Sequence, residues 1–93
     1  MHVGVLRIEI HLNDSASLKE KRGHLRRLKD RLRNNFNVSI AEIDEMDKWQ
    51  KAVLGVVTIS NDKKHLSGYL DGIMNFIEDE RTIEVLDYST EIL

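Results

Sequence analysis

The chain has no cysteine, and only five of its 93 residues are aromatic. Without cysteine, a disulfide framework, a thiolate zinc site and a cysteine nucleophile are excluded. No apolar run approaches the ~18 residues of a membrane span. The first residues show no basic region followed by an apolar stretch and a small-residue cleavage site, so a cytoplasmic location and no membrane partner are expected. No glycine-rich phosphate loop is present. What remains is 41% hydrophobic and 32% charged residues, enough apolar material for one core and too much for a disordered polar tract. One domain spanning residues 1–93 is expected.

The formal charge of −2 conceals an asymmetry. Between Leu18 and Arg33 lie eight basic residues against only Glu20 and Asp30, a net of +6, while the rest of the chain holds 6 basic and 14 acidic residues, a net of −8. A pI near 6.1 argues against a general nucleic-acid coat. A basic block on an acidic body points instead to one oriented contact with an anionic partner.

Periodicity divides the chain into six elements. Leu6, Ile8, Ile10 and Leu12 alternate with Arg7, Glu9 and His11, which predicts a half-buried strand over His2 to Leu12. Ser17 followed three residues later by Glu20 is a capping-box start, and Leu18, Leu25, Leu28, Leu32 and Phe36 share one arc of a helix running to about Asn35. Val38 to Ile43 reads as a strand whose apolar parity switches after Ile40, the signature of a bulge. Glu45 to Lys48 is a polar hairpin tip, and a third strand follows from Trp49 to Ile59. Ser60, Asn61 and Asp62 start a second helix that runs to about Asp79, with Leu66, Tyr69, Leu70, Ile73, Phe76 and Ile77 on its buried stripe. The last strand is Ile83 to Ile92. The order β-α-β-β-α-β, with right-handed crossovers, closes most economically as a ferredoxin-like α+β sandwich: a four-stranded antiparallel sheet with both helices on one face.

Three separated motifs carry a resemblance. Ser17-Leu18-Lys19-Glu20-Lys21-Arg22, then Phe36-Asn37-Val38-Ser39-Ile40-Ala41-Glu42, then Trp49-Gln50-Lys51-Ala52-Val53-Leu54-Gly55 with Ser60-Asn61-Asp62, resemble the YlxP-like family of small bacterial proteins of uncharacterised function. The resemblance covers nearly the whole chain and departs at Gly23-His24, where the family pattern has a basic and a β-branched residue. It implies a ferredoxin-like fold. Members are commonly encoded near translation and ribosome-maturation genes, which implies a ribosome-related role and supplies no catalytic residues.

The basic helix is the main candidate site. With Leu18 at zero and 100° per residue, the apolar stripe centres near −40°, and Lys19, Arg22, Arg26, Lys29 and Arg33 fall between about 20° and 100°. They form a ridge roughly 21 Å long at 1.5 Å rise per residue. Phosphates along a strand fit such a ridge, each neutralised phosphate releasing counterions. The competing reading is a solvated flank whose long stems cover the core edge. Base stacking on the sheet, the usual RNA-binding mode of this fold, is not expected, because the first strand has no aromatic and the third has only Trp49 at its beginning.

A second candidate lies on the sheet. Ala52 to Ile59 is apolar or small except at Thr58, where a strand with one wet face should alternate, and Val3 and Val5 fall on the outward parity of the first strand. Val3, Val5, Val53 and Val57 are therefore expected to meet a second copy of the chain. Met46 and Trp49, beside the hairpin tip, are candidate partner contacts, with Trp49 either projecting as a contact residue or folding back onto the sheet. Gly68 and Gly72 suggest close approach of another backbone to the second helix.

Catalysis finds little support. His2, His11, His24 and His65 are scattered over different elements, and Glu42, Asp44, Glu45 and Asp47 read as a solubilising hairpin before a weak magnesium site. No metal, cofactor or catalytic residue is expected. The leading expectation is a non-enzymatic accessory protein contacting ribosomal RNA or a ribosomal particle through the first helix. The alternative is an oligomeric interaction module, or a small-molecule regulator, built on the apolar sheet face.

Overall fold

In β1 (His2–Leu12), Leu6, Ile8, Ile10 and Leu12 point to one side and are buried, as their alternation demands. A strand that buries one entire face needs neighbours on both edges and a cover. The computed structural model of the protein, which describes residues 1–93, supplies both. β1 pairs with β3 (Lys51–Ser60) on one side and with β4 (Ile83–Ile92) on the other, and β2 (Ser39–Asp44) completes the sheet beyond β3. The order is β2-β3-β1-β4, every neighbouring pair antiparallel. Two helices, α1 (Leu18–Asn35) and α2 (Lys63–Glu78), supply the cover from a single face, which gives the expected ferredoxin-like sandwich. Their Leu25, Leu28, Leu32, Leu70, Ile73, Met74 and Ile77 join the inner residues of the sheet in one core.

Local chemistry sets the helix ends. Ser17 caps α1 by accepting from Glu20 N at 3.1 Å, and Glu20 Oε2 accepts from Ala16 N at 2.6 Å, a capping box displaced by one residue. Asp62 caps α2 by accepting from Lys64 N and His65 N. Phe36, at the end of α1, meets Tyr69 and Phe76 of α2 edge-on at 5.5 and 5.6 Å between ring centroids, and Asn37 N donates to the Tyr69 hydroxyl. These aromatic contacts lock the two helices side by side.

Several expectations shift. The β2 bulge lies between Glu42 and Asp44, so the unpaired residue is Ile43 rather than one near Ile40. A second bulge interrupts β4 opposite Glu9 and Ile10, leaving Leu86 unpaired. Trp49 falls in the connection before β3, not in the strand. The close approach expected at the α2 glycines occurs elsewhere. A Cβ on Gly68 would meet nothing within 4 Å, and one on Gly72 only a Phe36 ring carbon at 3.7 Å, whereas one on Gly4 would lie 3.0 Å from Leu66 Cδ1. The absent side chain is needed on β1, where α2 leans on the strand.

One charged side chain belongs to the interior. Lys21 is 1% exposed, and its Nζ donates to Glu45 O at 2.7 Å and lies 2.7 Å from Glu42 Oε2. The carboxylate contact is off hydrogen-bond alignment and holds by charge. Glu45 adopts φ 61°, and its carbonyl also accepts from Lys48 N at 3.1 Å. The lysine thus ties the β2–β3 turn to α1.

Two stability outcomes follow. Lys21→Met leaves a mostly buried carboxylate and a turn carbonyl without their cation. Because Glu42 still reaches some water, the expected loss is about 2–3 kcal/mol in urea unfolding, below that of a fully buried pair. Gly68→Ala adds a methyl in open space on a helix and is expected to stabilise by about 0.5–1 kcal/mol in the same assay.

Candidate nucleic-acid interface

The buried arc of α1 fixes where its other side chains go. Leu25, Leu28 and Leu32 face the core, so residues on the two flanks run along the neighbouring elements. Arg31 marks one flank: it pairs with Glu80, just after α2, and its guanidinium stacks 5.3 Å from the Phe76 ring centre. Arg33 marks the other, with Nη2 donating to Ile40 O of β2 at 3.4 Å. The ridge of Lys19, Arg22, Arg26, Lys29 and Arg33 therefore runs along the β2 side of the molecule, away from α2.

Lys19, Arg22, Arg26 and Arg33 are exposed and Lys29 is half-buried. Arg33 lies 3.8 Å from Asp30, a loose contact in water. The other four make no ion pair, and their side chains make no hydrogen bond. The sheet carboxylate best placed to reach this helix, Glu42, turns to Lys21 instead. Arg27, off the ridge, contacts His24 Nδ1 at 2.9 Å. The arrangement presents four unneutralised cations in a line, a layout that suits successive phosphates.

The other candidates are placed as follows. Met46 and Trp49 are both exposed, at 58% and 57%, and Trp49 shares a shallow surface hollow with His11 and Lys51 at the end of the sheet. Asp44 and Asp47 are exposed at the same tip, and no three His, Asp or Glu side chains gather as metal ligands. On the outer sheet face Val3 and Val5 are half-buried and Val57 is exposed. Val53 shares their outward parity yet is 1% exposed and lies outside the core cluster, so it offers no free surface. Neither β1 nor β3 carries an aromatic, and Tyr88, though exposed on β4, pairs with Ile8 and takes the inner parity.

Two residues escaped the sequence reading. Lys21 sits at about −60° on the wheel, inside the buried stripe, and a lysine there was the available signal. Ile43 is displaced by the bulge over Gly55, where its Cγ2 lies 3.2 Å from the position a Cβ would occupy. The glycine within an otherwise apolar β3 was its signal.

Residues 3–90 match the family described as "Protein of unknown function (DUF503)". A curated relative from Bacillus subtilis (strain 168), described as "Uncharacterized protein YlxP", is 41% identical over 85 residues, covering 87% of this chain and 92% of the relative. No helix is long and apolar enough to cross a membrane. With the family match spanning nearly every residue and the expected fold in place, the chain belongs to the DUF503 family of YlxP-like proteins.

Proposed function

We propose that this protein is a non-enzymatic accessory factor that docks on the phosphate backbone of structured RNA, with ribosomal RNA as the partner, through the ridge on α1. The observation that carries this reading is the absence of any carboxylate partner for Lys19, Arg22, Arg26 and Lys29, while Lys21 and Arg31 of the same helix are paired. Four aligned cations without counter-charges gain most from phosphates, because each contact releases condensed counterions. The ridge lies on one flank of a rigid helix, so it fixes an orientation. It carries no aromatic side chain for base stacking and its cations suit phosphates, so it reads backbone shape more than sequence. The ribosome as the source of that RNA rests on the genomic neighbourhood of the family.

Binding to a structured ribosomal RNA fragment is expected to weaken with salt along a log–log slope of roughly −3 to −4 for four contacts. Arg26→Glu with Lys29→Glu is expected to flatten that slope by about 2 and to weaken binding to different RNA sequences equally, with an unchanged circular dichroism spectrum. Fluorescence anisotropy across a salt series measures both. Absence of salt-sensitive binding at low ionic strength would overturn the reading and leave the ridge as a solvated flank.

A further inference from the structure

The face of the sheet away from the helices has a layout that the registers define. Leu93, Val3 and Ile59 form one cross-strand row, since Leu93 exchanges both backbone hydrogen bonds with Val3 and Val3 opposes Ile59. Val5 and Val57 form the next row, with Glu91 beside Val5 on β4. Arg7 and Gly55 form the third, and Ile43 lies over Gly55. Val57, Ile59, Ile43 and Leu93 are 40%, 56%, 48% and 64% exposed. This is one contiguous aliphatic band, wider than scattered apolar surface.

We propose that this face is the interface of a homodimer, in which a second copy packs sheet to sheet across a two-fold axis and Arg7 pairs with the partner subunit's Glu91. Charge and area select this occupant. The band is aliphatic, so it offers nothing for bases to stack on. Its β4 border carries Glu91 and Asp87, which repel an anionic membrane. The same border complements the one cation near the centre of the face. Arg7 has only a 3.5 Å contact with Glu9, and its guanidinium is half-exposed. An isologous interface needs two surface groups that each find the other across the axis. An axis crossing the strands between the rows of Val5 and Arg7 does this. It lays each Val5 row over the partner's Arg7 row. Glu91 then comes within one strand spacing, about 4.8 Å sideways, of the partner's Arg7, and the contact forms twice. The same operation seats Val57 on the partner's Ile43, which fills the hollow over Gly55.

The area suffices. Three strands of about ten residues and the six-residue β2, spaced about 4.8 Å apart, present roughly 600 Å² per copy, or about 1,200 Å² for the pair. That reaches the lower end of the range for specific interfaces, about 1,200–2,000 Å². Both ridges stay on the outer helix layers, so dimerisation and RNA docking use separate surfaces.

Sedimentation equilibrium without RNA tests the proposal. The mass is expected to rise from 10.8 kDa towards twice that value over the range of about 1 to 200 µM. Val57→Lys is expected to return the chain to monomer. Arg7→Glu and Glu91→Arg are each expected to weaken dimerisation at least about tenfold, and the double exchange to recover most of that loss. These side chains lie on the surface, and an unchanged circular dichroism spectrum confirms that each variant is folded. A monomeric mass throughout, a Val57→Lys variant that still dimerises, or a double exchange no better than its worse parent would each overturn the proposal. Arg26→Glu with Lys29→Glu is expected to leave the dimer intact, so a failed ridge and a failed interface give different results.

Discussion

The inner face of β1 is the constraint on which the structure depends. Leu6, Ile8, Ile10 and Leu12 must leave water together, and they lie on a strand with hydrogen-bonded neighbours on both edges. Two crossovers of the same hand bring both helices to that face. Each helix then has one buried arc and free flanks, and the sheet has one buried face and one without a cover. The ridge and the aliphatic band are both products of this one-sided layering. The ridge lies on the α1 flank beside β2, where no carboxylate pairs with Lys19, Arg22, Arg26 or Lys29, and the band on a sheet face that no helix covers.

Within α1 the tertiary structure sorts cations that composition treats alike. Lys21 is drawn inward to the carbonyl of Glu45 and the carboxylate of Glu42. Arg31 is taken by Glu80 and the Phe76 ring, on the side of α2. By occupying Glu42, the buried lysine keeps the acidic hairpin from neutralising the ridge, so a stabilising contact and a candidate functional surface are linked. A sheet carboxylate does meet the basic helix, but at a buried residue and not at the surface.

The outer face reflects a similar interplay. A bulge in β2 moves Ile43 from the pleat to a place over Gly55, filling the hollow that the glycine leaves. This extends the aliphatic surface of β1 and β3 towards the β2 edge. On the opposite edge, Asp87 and Glu91 give β4 the acidic border that discourages unplanned strand pairing.

Strand alternation, the capping residues at Ser17 and Asp62, and two apolar stripes made the element order and the ferredoxin-like fold legible from the residues, because those signals are local and repeat at the backbone's own periods. The alignment of the ridge was legible for the same reason, since 100° per residue places side chains around a helix without reference to anything else. Only the tertiary structure decided which of those cations stay unpaired, because the competing carboxylates come from β2 and from the turn after α2, distant in sequence. It likewise decided that Val53 is covered while Val57 is exposed, and that Gly4 rather than Gly68 admits a neighbour. Two residues of one parity on one strand are alike to any local pattern. Their burial differs because bulges, edge positions and the lean of α2 on β1 are properties of how the elements meet.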